Sequence, residues 1–194
     1  MRRRILFATT SAILITAGMA CAQKPTASTR QPIPALPSTS QNNLPGGFTA
    51  VSQLQAMPDA IPFTANTPGG SIAGGSVATI TWNISQGNNG RTWTLMVGAN
   101  SSTFLDCITV PVSAISVKCV SASASGGGQT SAGCNISGFT ALPDTLPGLS
   151  LASGNEGNAS SHAYTVVLSY QLTDSWRYTA NKCPLNVSYT VVAQ

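Results

Sequence analysis

Ala163-Tyr-Thr-Val-Val-Leu-Ser-Tyr-Gln-Leu-Thr173 decides how this chain is read. Tyr164, Val166, Leu168, Tyr170 and Leu172 take every second position, with Thr165, Ser169, Gln171 and Thr173 among the residues between them. Successive side chains of a strand point to opposite faces, so this spacing gives one apolar and one polar face, the mark of a half-buried strand. Further on, Leu185, Val187, Tyr189 and Val191 alternate with Asn186, Ser188 and Thr190, and a second strand closes the sequence. Two long strands make a sheet with one face in want of a partner.

The same period recurs upstream. Ala78, Ile80, Trp82 and Ile84 share a face, Gln86-Gly-Asn-Asn-Gly90 is a turn ending in a hairpin-type Asn-Gly, and Trp93, Leu95 and Val97 line one side of the next run. Over residues 113–121, Ile115, Val117 and Cys119 fall on one face. Shorter strands are expected around Cys134 and around Leu149-Ser-Leu151. About seven strands thus occupy residues 77–193 with no long helical pattern, which predicts an all-β fold: a two-sheet antiparallel sandwich of immunoglobulin-like kind, with an up-and-down barrel as the alternative. The segment 48–75 is harder to assign. Phe48, Val51, Leu54 and Met57 could stripe a short helix, Pro58 and Pro62 end regular structure, and the whole is read as an edge segment packed on a domain of residues 48–194.

The ends carry the address. Arg2, Arg3 and Arg4 followed by an apolar run from Ile5 to about Ala20 match an export signal over residues 1–22, too short for a comfortable bilayer span of ~20 residues. Two processing readings stand. Ala20-Cys21-Ala22 is an A-x-A site leaving Gln23 first, whereas Gly18-Met19-Ala20-Cys21 resembles a lipobox that would make Cys21 the lipidated N-terminus, the sole membrane attachment expected. Residues 23–47, rich in Pro, Ser and Thr, bury too little apolar surface to fold and read as a disordered tether.

Charge excludes one class of partner. From residue 64 on, Arg91, Lys118, Arg177 and Lys182 balance Asp106, Asp144, Glu156 and Asp174, so the formal net charge of +4 belongs to the first 63 residues and the domain lacks the basic footprint that nucleic acid requires. With Cys21 outside the domain, Cys107, Cys119, Cys134 and Cys183 remain, an even number that in an exported chain means two disulfides. Of three connectivities, Cys107 with Cys119 and Cys134 with Cys183 is favoured, the first as a hairpin staple. Zinc would want clustered C-x-x-C spacing and usually histidines; that spacing is not present, and the chain has a single histidine.

Little supports catalysis. His162 is the one histidine and reads as a solvated loop residue, the acids stand singly, and no nucleophile elbow, phosphate loop or H-E-x-x-H occurs. The expectation is a non-enzyme with no cofactor and no metal; Glu156 in the loop 153–158 is too thin a ligand set for calcium. Trp176-Arg177-Tyr178, in the connection between the two long strands, is the candidate ligand-binding group. Exposed, it would stack on a sugar ring or anchor a partner; folded back, it would cap an open end of the sandwich.

Thr92-Trp93-Thr94-Leu95, followed by the run from Tyr164 through Tyr170-Gln171-Leu172, resembles the WxL domain of bacterial cell-surface proteins over residues 76–173. Trp93 and Leu95 match its first motif; Tyr170 and Leu172 stand at the second, with Tyr in place of Trp. The resemblance implies an exported protein associated with the cell wall. Three functions are expected: binding of wall polymer or extracellular polysaccharide; self-association as a structural subunit of a fibre or matrix by strand addition, with residues 185–193 as the strand to donate or complete; and an accessory module of an enzyme.

Overall fold

The computed structural model describes residues 6–19, 50–65, 69–85, 91–157, 161–178 and 182–193. The turn expected at residues 86–90 and the tether lie outside them. The described residues build an all-β sandwich. The long period-two runs become β5 (Ala78–Ser85), β6 (Thr92–Ala99), β9 (Ile115–Ser125), β13 (Ser161–Thr173) and β14 (Lys182–Ala193), and shorter strands become β10 (Gly133–Cys134), β11 (Thr140–Ala141) and β12 (Leu149–Asn155). Two very short strands, β7 (Thr103–Phe104) and β8 (Cys107–Pro111), form their own hairpin, and a single 3-10 turn, Val112–Ala114, leads from it into β9.

The segment before residue 77, expected as an edge segment, supplies three strands, β2 (Ala50–Met57), β3 (Ala60–Ala65) and β4 (Ser71–Ala73), of which β2 and β3 stand at sheet edges. Pro62 is accommodated because β3 lies at a sheet edge, where one side of the strand needs no ladder donor. The apolar run near the start is also a strand, β1 (Leu6–Met19).

One sheet runs β10-β12-β6-β14-β1-β3, the other β11-β9-β13-β5-β2, with β4 pairing the end of β13. Neighbours are antiparallel except β1 and β3, which run parallel from Leu14↔Ala60 to Met19↔Ala65. β13 is the spine of the second sheet, pairing β9 from Ala163↔Ser125 to Leu172↔Ile115 and β5 from Ser161↔Ser85 to Leu168↔Ala78.

Between the sheets lies the face that alternation selects. Ile80, Trp82 and Ile84, Trp93, Leu95 and Val97, Tyr164 to Leu172 on even positions, and Leu185 to Val191 on odd ones are all buried. Two aromatic groups join the layers. Trp82 meets Trp93 edge-on at 4.9 Å between centroids and stacks on Tyr164 at 5.4 Å, an arrangement favoured by ring quadrupoles. Elsewhere in the core Tyr170 and Tyr189, from opposite sheets, hydrogen-bond through their hydroxyls, which satisfies two polar atoms that burial would otherwise penalise.

The disulfides correct the favoured pairing. Cys107 bonds Cys183 and Cys119 bonds Cys134. Cys107 and Cys119 cannot staple a hairpin, because β8 pairs back on β7 and the 3-10 turn carries the chain away into the second sheet. Instead Cys119 N–H donates to Ile136 O at 3.2 Å, laying the strap around Cys134 beside β9. One bridge thus ties the β7–β8 hairpin to the start of β14, and the other ties β9 of one sheet to β10 of the other.

Candidate functional site

Of the three residues in the β13–β14 connection, two face solvent and one does not. Trp176 is 77 % exposed and Arg177 is exposed, its guanidinium carbon 5.2 Å from the Trp176 ring centroid, a cation–π contact. Tyr178 is half-buried and packs on the core. Burial, and then the Asp174 carboxylate, push its phenol pKa upward. The group is therefore divided, with Trp176 and Arg177 turned to solvent and Tyr178 folded back on the core.

This turn is held firmly. Asp174 is buried, and its Oδ1 accepts from Ser175 N–H at 2.8 Å. Arg177 N–H donates to Ser175 Oγ at 3.3 Å and Tyr178 N–H to Ser175 O at 3.0 Å. Gly69 N–H donates to Asp174 O and Asp174 N–H to Gly70 O, so the connection is stitched to the turn before β4. An aromatic ring on an ordered turn loses little further backbone entropy when a ligand docks.

The motif residues are elsewhere. Trp93, Leu95, Tyr170 and Leu172 are each 0 % exposed, so they act as core and offer no surface to a polymer.

His162 and Glu156 depart from the sequence reading. His162 is 1 % exposed and Glu156 is 0 % exposed. β13 begins at Ser161, which gives His162 the same inward parity as Tyr164 and Val166. Glu156 is drawn in where its N–H donates to Arg91 O at 3.0 Å. Beside them the Tyr164 hydroxyl donates to the carbonyls of Glu156 at 3.0 Å and Asn155 at 3.2 Å. Burial first, and then the charge of Glu156, push the Tyr164 pKa up to about 12. Among the described residues no three His, Cys, Asp or Glu side chains gather as a metal site would need. A shallow open depression of about 300 Å³ at Pro143, Thr145, Leu146 and Pro147 has no acid or base in its lining.

The second candidate site is a backbone feature that sequence reasoning missed. β1 pairs β14 antiparallel from Leu6↔Ala193 to Gly18↔Lys182, and β3 on its other side. β14 is thus not the free edge expected of a donor: it is flanked by β6 and β1. Among the described residues β3 joins the sheet ladder through β1 alone. The signal was present in the sequence, since the run is uncharged, free of proline and contains Thr9, Thr10, Ile13, Ile15 and Thr16, β-branched residues that favour strands.

Comparison with protein-family models, with curated proteins and with solved structures finds no match to this chain.

Proposed function

We propose that this protein is a non-enzymatic exported protein of the cell envelope or extracellular space, and that it works as a structural subunit of a fibre or matrix by accepting a strand into its first sheet. Two disulfides fit an oxidising compartment, and the leader-like start fits export. The observation that carries the reading is the position of β1. The run with the composition of a removable leader is the strand that bridges β14 and β3. Its removal on export leaves a slot with unpaired N–H and C=O groups along both walls, the condition under which sheets recruit a strand from another chain.

The test begins with the full chain carrying a protease site after Ala22. Cutting it and removing the released segment is expected to convert a monodisperse monomer into a species that self-associates or captures an added strand peptide, read by light scattering and by peptide retention. A cut protein that stays monomeric, captures nothing and unfolds at the same denaturant concentration would overturn the reading.

Trp176 favours a second reading, attachment to wall polymer or extracellular polysaccharide. Ile108, 84 % exposed, lies in β8 directly after the cysteine bridged to Cys183, so β8 and the β13–β14 connection, both tied to the start of β14, each carry a strongly exposed apolar side chain. The WxL-like residues point to the same setting, although their own side chains are buried. Co-sedimentation with peptidoglycan and insoluble polysaccharides tests this reading. Pelleting that is lost in Trp176→Ala supports it, and pelleting with no polymer rules it out.

A further inference from the structure

We infer that the strand accepted into the β14–β3 slot is residues 46–57 of a second copy of this chain, so that each copy gives its β2 segment to the next. The inference rests on the strand-accepting reading above and adds the identity of the donor.

Slot and segment agree in length and pattern. The β14 wall runs twelve positions, from Lys182 to Ala193, and along it Cys183, Leu185, Val187, Tyr189 and Val191 face the core, all 0 % exposed. Residues 46–57 are also twelve, bounded by Pro45 and Pro58, with no charge and no proline between them. Laid antiparallel across residues 182–193, they place Phe48 opposite Val191, Ala50 opposite Tyr189, Ser52 opposite Val187, Leu54 opposite Leu185 and Ala56 opposite Cys183. Directly opposed residues share a face, so four of the five positions on the core side are apolar. β1 sets Ser11 opposite Tyr189, Ile15 opposite Leu185 and Ala17 opposite Cys183, and the segment repeats that order of small, large and small residues. Ser52 is where it falls short, since β1 has Ile13 opposite Val187.

β2 is also the strand most easily lent. Among the described residues it is an edge strand paired to β5 alone, and the side chains of residues 51–57 are all half-buried or exposed. Its pairing slips between Ser52 and Gln55, where Gln53 has φ +55°, a left-handed conformation costly for that residue type. Straightened in the slot, the segment would shed that strain and gain ladder partners on both sides.

The chain's own slot cannot receive it. An occupant runs parallel to β3, as β1 does, and only Pro58 and Asp59 separate β2 from β3. Parallel neighbours need a crossover of about a dozen residues or more, so the donor is another copy. The donated strand leaves the acceptor at Lys182, and the same short link holds the donor's body against that end. Leu105, whose N–H donates to Pro184 O at 2.9 Å, and Ile108, beside the Cys107–Cys183 bridge, are exposed there, as is Trp176 in the connection leading to β14. Contact between copies would cover them.

The test uses the full chain with a cleavable site after Ala22, carrying Gln53→Cys and Asn186→Cys. Both positions are exposed and lie in different sheets of one chain, whereas the donated register sets them opposite each other. Cutting and removing the leader segment is expected to give a ladder of disulfide-linked oligomers that the uncut protein does not give. A labelled 46–57 peptide is expected to be retained by the cut protein, and its Ser52→Ile form to be held on the order of tenfold tighter, because a buried apolar side chain replaces a hydroxymethyl group. Ser52 is exposed in β2, so a role confined to its own sheet predicts no such gain. Capture of a 5–19 peptide without the cross-linked ladder, or a Ser52→Ile peptide that binds no tighter, would overturn the inference while leaving strand acceptance standing. If the cut protein remains a folded monomer and retains neither peptide, strand acceptance itself fails, and the inference with it.

Discussion

Replacing Cys107 and Cys183 together by alanine is expected to cost more stability than the same change at Cys119 and Cys134. The bridges close loops of very different length, with sequence separations of 76 and 15. In the chain-entropy description the stabilisation grows as 2.1 + 1.5R ln n cal/mol/K, which at 25 °C gives about 4.5 kcal/mol for the long loop and about 3 kcal/mol for the short one. The Cα–Cα distances are nearly equal, 5.5 and 5.6 Å, so bridge span does not blur the comparison. Packing acts in the same direction, since Cys107 and Cys183 are both buried whereas Cys134 is exposed. The expected gap is therefore ~1.5 kcal/mol or more, about tenfold in the unfolding equilibrium. Urea unfolding of the two double variants, followed by tryptophan fluorescence with the other bridge intact, measures it. Equal midpoints at equal slopes, or a larger loss from the Cys119–Cys134 variant, would refute the reasoning, and proteolytic mapping that joins Cys107 to Cys119 would refute the pairing beneath it.

Three further outcomes are expected. Gly148→Ala should lose about 2 kcal/mol or more by the same assay, because Gly148 has φ +80° and an added Cβ would lie 2.0 Å from Val97 O. Stability should fall as pH rises from 10 to about 12, in step with ultraviolet titration of the buried tyrosines. The sign is set because the Tyr164 pKa is raised to about 12 and those of Tyr170 and Tyr189 are also raised, chiefly by burial, so the unfolded chain releases its phenolic protons first. Trp176→Ala should shift stability by no more than ~0.5 kcal/mol, since the ring is largely in water, while Trp93→Ala should cost about 3–5 kcal/mol.

Alternation makes the sandwich legible. β5, β6, β9, β13 and β14 each bury the residues that period two selects, because a strand has only two faces and one of them meets the opposite sheet. The same rule, carried one residue further back, turns His162 inward; a strand begun at Ala163 leaves it in a loop. Bridge pairing is out of reach of the sequence because it depends on which strand β8 chooses, and β7 is two residues long. The division between Trp176 and Tyr178 is equally hidden, as it is fixed by backbone hydrogen bonds to Gly69 and Gly70, about a hundred residues away in sequence. β1 escapes a sequence reading for a different reason. An uncharged, proline-free, apolar run satisfies the requirements of an export signal and of a strand between two others, so composition alone does not choose.

If the run is removed as proposed, the fate of the slot depends on β3. Since β1 is antiparallel to β14 and parallel to β3, β3 could meet β14 as an antiparallel neighbour if it moved across one strand spacing, about 4.8 Å. Two features oppose that closure. Gly75 N–H donates to Pro62 O at 2.9 Å, and Ile61 lies so close over Gly74 that an added Cβ there would come within 2.6 Å of its Cγ2, which anchors β3 to the segment leading into β5. Length opposes it as well. β3 pairs over six positions, and Pro62 among them has no N–H to give, whereas β14 presents twelve. Closure would cover at most half of the exposed edge and leave the rest of the core-facing row of β14 without a neighbour. A longer strand from outside satisfies both walls at once, and that difference in coverage favours recruitment over collapse.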